Sequence, residues 1–253
     1  MTDNRTTYHF EDFTESNYRD LIQLAKKNFD FVPFNLNLNK ENIVIWRHDI
    51  DLSPHRALKL AAIEKNENVT STYFFNLHCE FYNLLEPEIS GIIKKIIALG
   101  HNIGIHFDPN YYGEKIKTLE HLEHCLNIEK LIFRELLGTE IKVFSYHDPN
   151  KGNWHTSFEE NEIAGLVNAY GKYFKDNFEY CSDSNGYWRF KRLKDVLTNP
   201  AKSRLQVLTH PGWWQETVMS PKERVWRCIE ERAQNTKNFY QHFIADSNRE
   251  LID

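Results

Sequence analysis

Short runs of β-branched and aromatic residues recur along this chain, each followed by a stretch of helical character, and that alternation constrains the fold more than any single motif. Ile43-Val44-Ile45-Trp46 reads as a short buried strand, because β-branched residues bounded by polar ones favour that state. Ser53-Pro54 then opens a helix, with Ser as N-cap and Pro at the first helical position, running to about residue 65. The pattern continues with a strand at 70–75, a helix at 88–99 stopped by Gly100, and a strand at 101–107. Residues 114–137 read as helical in one or two pieces, 141–146 as a strand, and 157–167 as a helix opened by a Ser157/Glu160 capping box. Strands at 178–182 and 205–209 follow, and Ser220-Pro221-Lys222-Glu223 opens a last long helix. Strand and helix alternating this often imply an α/β fold of parallel strands joined by crossover helices. The pattern alone leaves open sheet and closed barrel both standing. No G-x-G-x-x-G or G-K-[ST] follows any strand, which disfavours the nucleotide-binding open sheets.

At 253 residues the chain is near the upper size for one core, so a single domain over 1–253 is expected, with 1–40 as an added helical extension centred on 13–29. A hydrophobic fraction of 41% suffices for a core, and 26% charged residues excludes a membrane-dominated chain. The net charge of −5, with both signs interspersed, gives no sign of a nucleic-acid groove or an anionic-membrane surface. No apolar run is long enough to span a bilayer, and Met1-Thr2-Asp3-Asn4-Arg5 lacks a signal-peptide core. A soluble, cytoplasmic protein is the expectation. Cys79, Cys125, Cys181 and Cys228 lie far apart without a C-x-x-C pair, which argues for reduced thiols rather than a zinc ribbon or a disulfide framework.

Polar residues collect at the strand ends. Asp49 and Asp51 end the first main strand at i and i+2, so they point to one side while His48 and Ile50 point to the other. Two carboxylates that close repel, so one must be protonated, paired with a cation or bound to a metal. His106 and Asp108 end a second strand, His147 and Asp148 a third, Asp183 a fourth and His210 a fifth. In a parallel barrel those ends share one rim, where such enzymes build their active sites. Strand parity puts His106 on a face with Gly104 and Asn102 and His101 on the opposite face. His101 is thus a packed or capping histidine and His106 a candidate ligand, with the small Gly104 leaving room in the barrel. Arg47 shares the parity of Asp49 and Asp51, either as a site cation or as a structural ion pair of the interior. His55, His78, His121, His124 and His155 read as surface or helix residues.

Several motifs run in a familiar order: Arg47-His48-Asp49-Ile50-Asp51, Ser71-Thr72-Tyr73-Phe74-Phe75 and Gly100-His101-Asn102-Ile103-Gly104-Ile105-His106. Phe144-Ser145-Tyr146-His147-Asp148-Pro149, Tyr180-Cys181-Ser182-Asp183-Ser184 and Leu208-Thr209-His210-Pro211 complete the series. Over residues 43–214 the chain resembles the polysaccharide deacetylase superfamily (carbohydrate esterase family 4), especially divergent members with Arg-His-Asp-x-Asp in place of Thr-Phe-Asp-Asp. The resemblance implies a distorted (β/α)7 barrel and a divalent metal, commonly zinc, held by one Asp and two His. It also implies a neighbouring Asp as general base and a histidine of a late L-x-H segment as general acid. Carried over by motif, Asp49 is the base, Asp51 and the first histidine, His106, bind metal, and His210 is the acid.

The chain departs from that pattern twice. The second metal histidine falls four residues after the first, and Asn110 stands there. The third motif carries an Arg near the base, and here it reads Ser145-Tyr146-His147. A metal site would therefore be rebuilt with His147, or alternatively Asp108, or be weakened; Asn110 offers only a neutral carbonyl oxygen, a poor zinc donor. Arg47 is the candidate substitute for the missing arginine, and Asp183 could stabilise a His210 imidazolium. Trp213 and Trp214, with Tyr111, are candidates to stack on a sugar, against the plainer role of loop packing. Tyr112 and Trp154 occupy similar positions. The reading is a metal-dependent deacetylase of an N-acyl, most simply N-acetyl, amino sugar or sugar-containing precursor, with a small molecule or glycan as its partner. A catalytically silent glycan- or partner-binding barrel and a hydrolase of non-sugar amides or esters are the alternatives.

Overall fold

The structure, a computed structural model, describes residues 3–188 and 190–252; Met1 and Thr2, part of the N-terminal stretch considered above, lie outside them. The strands among the described residues are β1 (Asp30–Phe31), β2 (Ile43–Ile50), β3 (Thr72–Phe75), β4 (Asn102–Phe107), β5 (Val143–Tyr146), β6 (Glu162–Ile163), β7 (Leu166–Asn168), β8 (Glu179–Ser182) and β9 (Arg204–Thr209). They form one sheet in the order β6-β7-β5-β4-β3-β2-β9-β8, with β1 beside β2. Every pair is parallel except the β6–β7 hairpin. The last strand, β9, lies against β2 over residues 43–48. Seven parallel strands, β7-β5-β4-β3-β2-β9-β8, thus curl into a distorted (β/α)7 barrel. It is open along one seam between β7 and β8, which do not pair among the described residues. The short helix Lys172–Asn177 sits at this seam.

Side-chain parity in β2 organises both layers. All eight of its residues are buried. Ile43 and Ile45 pack inside the barrel with Phe174 and Phe178 from the seam. Val44 and Trp46 point outward and pack with Tyr18, Leu21, Ile22 and Ala25 of the helix Glu15–Asn28. Ile50 joins the cluster beneath the helices Pro54–Asn66, Pro87–Ala98 and Leu119–Leu137. Each such side chain contributes about 1.5–3 kcal/mol on burial, and a one-residue slip would reverse all of them. That is what fixes Asp49 to the interior.

Two expectations are corrected. Residues 157–167 do not form a helix. Ser157 ends the short helix Trp154–Ser157, and the chain then turns through β6 and β7. Ala164 (φ 55°) and Gly165 (φ 70°) are the two left-handed residues of a two-residue hairpin turn. β7 thereby reaches the free edge of β5, and that pairing outweighs a capping signal worth about 1 kcal/mol. Nor does Gly104 leave open space: a Cβ there would lie 2.5 Å from the Phe74 ring, which fills the interior beneath His106. The other elements fall near their expected places. The helix expected from 114 starts at Leu119, capped by Thr118, and the C-terminal helix Pro221–Asp246 opens with the Ser220/Glu223 capping box. Among the described residues no helix is long and apolar enough to cross a membrane.

Candidate metal centre and active site

The C-terminal ends of the strands bring six of the sequence-selected residues together around one cavity of about 990 Å³. Asp49, Asp51, His106, His147, His210 and Trp213 line it. Register explains the convergence: β4 pairs with β5 so that His106 lies beside Ser145, and β2 pairs with β9 so that His48 lies beside Thr209, just before His210.

Three donor atoms form a compact triangle. Asp51 Oδ1 lies 3.1 Å from His106 Nε2 and 3.4 Å from His147 Nδ1, and the two ring nitrogens are 3.2 Å apart. Ligand atoms about 2.0–2.1 Å from a tetrahedral zinc ion are about 3.3–3.4 Å from one another, so the triangle has the size of one face of such a site. Asp51 Oδ1 is buried and accepts no well-directed hydrogen bond, despite the nitrogen at 3.1 Å. An orphaned carboxylate oxygen between two imidazoles fits a shared cation better than a hydrogen-bonded pair. His106 is aimed by Ser145, whose Oγ lies 2.7 Å from its Nδ1, which leaves Nε2 for the site. These three form the metal-capable group of His, Cys, Asp and Glu found among the described residues. Asp108 is outside it; its Oδ1 accepts the Asn110 backbone N–H and caps the short helix Pro109–Tyr112. The Asn110 side chain accepts a hydrogen bond from Trp154 Nε1.

Charge on the histidines follows the carboxylates around them. Burial would raise the Asp51 carboxyl, but His106, His147 and His210 hold it well below the usual range. Burial would depress His147, yet Asp51, Asp108 and Asp49 push it up to about 9. A cation bound there must displace that proton, so ligation and acid compete. His210 is likewise pushed up to about 9, against the effect of burial, by Asp183, Asp51 and Asp49. Its Nδ1 is 2.6 Å from Asp183 Oδ1, and its Nε2 lies 3.6 Å from Asp51 Oδ2.

Arg47 is fully buried. Its Nη2 donates to Asp49 Oδ2 at 3.1 Å and to the Tyr170 hydroxyl at 2.8 Å, and the guanidinium stacks 4.6 Å from the Tyr170 ring centre. Asp49 Oδ1 lies 3.4 Å from Ser145 Oγ.

The aromatic assignments divide. Trp213 lines the cavity. Trp214 does not reach the rim: it is fully buried against Phe13 and Tyr18 and donates to Asp183 Oδ2 at 3.1 Å. A helical turn, Pro211–Trp213, rotates the two tryptophans apart. Tyr111 is exposed and outside the cavity lining, stacked on His78 at 3.5 Å. Sequence reasoning missed Tyr170, Tyr180 and His155, all of which line the cavity. Tyr170 follows β7, which begins in the stretch whose local pattern predicts a helix, and that hides its placement. Ser145 stands out in the sequence as a departure from a motif, and its i, i+2 spacing from His147 puts it on the same face.

No family model and no curated protein matches this chain. The solved structures it resembles are carbohydrate esterase family 4 proteins. One is the chitin deacetylase of the fungal pathogen Colletotrichum lindemuthianum, 15% identical over 79% of this chain and 88% of that one, with a TM-score of 0.44. A family 4 carbohydrate esterase from Bacillus anthracis is 16% identical over 87% and 86%, with a TM-score of 0.42. A family 4 pseudoenzyme from Bacillus anthracis is 12% identical over 78% of this chain and 63% of its own length, with a TM-score of 0.43.

Proposed function

We propose that this chain is a metal-dependent hydrolase that removes an N-acyl group, acetyl in the simplest case, from an amino sugar or a sugar-containing precursor. The observation that carries this reading is the Asp51–His106–His147 triangle beside Asp49 and His210 on one cavity. Asp51, His106 and His147 would hold a divalent cation, zinc by the preference of a two-imidazole, one-carboxylate donor set. Such a cation, when bound, polarises a carbonyl and lowers the pKa of its water to about 7. Asp49, fixed by Arg47 through one oxygen, takes a proton from the attacking water. His210, held at Nδ1 by Asp183, delivers a proton from Nε2 to the leaving amine as the C–N bond breaks. Water thus divides into the hydroxyl of the released acid and one hydrogen of the amine, whose other hydrogen is the original amide N–H. Trp213 supports the sugar as one wall of the cavity.

The silent-barrel alternative rested on Asn110. A donor triangle of the right size exists without that residue, which favours the catalytic reading. The test is metal analysis of protein purified without added zinc, followed by a screen of N-acetyl amino sugars against simple amides and esters. Stoichiometric metal and release of acetate from a sugar are expected. Protein that neither retains nor takes up a divalent ion would sink the proposal, and turnover of simple esters alone would move the substrate class away from sugars.

A further inference from the structure

The C-terminal helix Pro221–Asp246 has 26 residues, about 39 Å at 1.5 Å per residue, and only its first half is tied to the body. Arg224 donates to the Gly186 and Phe10 carbonyls, Cys228 is buried, Arg232 pairs with Glu86 at 2.5 Å, and Asn235 reaches His55. From Thr236 to the end of the helix every residue is exposed except the half-buried Ile244. A helix in water holds its last turns through packing of an apolar face rather than through propensity. This helix has such a face. Trp226, Ile229, Ala233, Thr236, Tyr240 and Phe243 follow the alternating three- and four-residue spacing of a heptad seam, and all six are exposed. At 100° per residue they fall within an arc of about 100°, turned well away from the side of Arg224 and Cys228.

We propose that a second copy of this chain packs on that stripe, forming an antiparallel two-helix seam about a two-fold axis. The flanking charges choose both occupant and direction. Antiparallel pairing that sets Trp226 opposite the partner's Phe243, and Ile229 opposite the partner's Tyr240, also sets Glu230 beside the partner's Lys237, twice by symmetry. A parallel seam would instead place Arg232 beside the partner's Lys237, two like charges. Trp226, Phe239, Tyr240 and Phe243 are 51%, 71%, 51% and 54% exposed. At about 200 Å² per aromatic side chain they offer roughly 450 Å² per copy. Two copies reach about 900 Å² with Phe239, which flanks the stripe, included, a size that fits a reversible, concentration-dependent interface. Because the stripe faces away from the body, the two barrels sit on the outer sides of the helix pair.

Sedimentation velocity of the full chain between about 1 and 100 µM tests this. A concentration-dependent dimer is expected, and Tyr240→Glu with Phe243→Glu should leave only monomer with an unchanged circular-dichroism melt. Glu230→Lys alone and Lys237→Glu alone should each weaken the dimer on the order of fivefold, and the double exchange should restore it. A wild-type chain that stays monomeric at every concentration overturns the proposal, as does a dimer indifferent to the Tyr240 and Phe243 changes. Single charge changes that weaken the dimer without recovery in the double variant overturn the antiparallel register.

Discussion

Both faces of β2 bring histidine and carboxylate together, yet they are built to opposite ends. Outward, His48 lies 2.7 Å from Glu64 Oε1 and 2.7 Å from Thr209 Oγ1. The Tyr18 and Tyr73 hydroxyls donate to the two oxygens of Glu64, and Trp46 donates to Tyr18. Each of these atoms has a partner, the groups are fully buried or nearly so, and none of them lines the cavity. Inward, Asp51 Oδ1 is unsatisfied, two histidines are pushed up to about 9, and the group opens on about 990 Å³. Buried acid and histidine do not by themselves mark a site. What separates the faces is an unmet valence pointing at accessible space.

The largest effects should therefore come from the inner face. Asp51→Ala or His106→Ala is expected to abolish metal retention and activity together, read by elemental analysis beside turnover; a His106→Ala protein with full metal content would break the assignment. Asp49→Asn and His210→Ala should each lower kcat by about 10²- to 10⁴-fold, the usual worth of a positioned proton-transfer group. Both should keep metal, because neither residue belongs to the donor triangle.

The outer face should respond in stability. Glu64→Ala leaves two tyrosines and His48 buried without their acceptor, a loss of about 3–5 kcal/mol in denaturant unfolding. Turnover per folded molecule should stay within the same order of magnitude. Its pH dependence is also distinct. Burial would raise Glu64, but His48 and His101 hold it below the ordinary glutamate value. A carboxylate so depressed adds stability above its unfolded pKa and loses it as pH falls through the lower folded value. Glu64→Gln should flatten the acid limb of the stability curve. A variant at Glu64 that keeps its stability but loses its metal would erase the distinction between the faces.

Much of this division was legible as parity. Asp49 and Asp51 on one side of the strand and His48 on the other follow from a period of two, and the strand-end placement of His106, His147 and His210 follows from strand–helix alternation. The choice of His147 over Asp108 turned on where the chain goes after β4. Asp108 caps the short helix Pro109–Tyr112, and Asp108-Pro109 carries the same N-cap and first-position proline signal as Ser53-Pro54. The seam was not legible, because a capping box and a helical pattern at 157–167 are local signals, whereas the open edge of β5 that recruits β7 is a property of the assembled sheet. Tyr170 and the aromatic wall of the cavity were lost with it. Trp214 failed for a different reason: adjacent aromatics at a strand end look alike in sequence, and only the turn at Pro211 sends one inward.

The smallest effect should sharpen the comparison most, because it concerns a charge whose role can be separated from its shape. Asp183 is fully buried and accepts from Trp214, from the His210 backbone N–H and from the His210 ring. It resembles Glu64 in burial and satisfaction, but its histidine faces the cavity. If His210 works as the acid, the rate needs the imidazolium, and the falling limb of the pH–rate profile marks its deprotonation. Asp183 raises His210, so the protonated form persists to higher pH. Asp183→Asn removes the charge and keeps one acceptor oxygen, which serves the His210 ring at the expense of the Trp214 hydrogen bond, since the two donors use different oxygens of Asp183. The falling limb should then move down by about one to three pH units, with the rising limb and metal content unchanged. A cation on Asp51 would already offset that carboxylate's pull on His210, which leaves Asp183 as the main support. A profile in which Asp183→Asn lowers the rate equally at every pH would show Asp183 acting as Glu64 does, by holding structure alone, and the acid would have to be sought at another group.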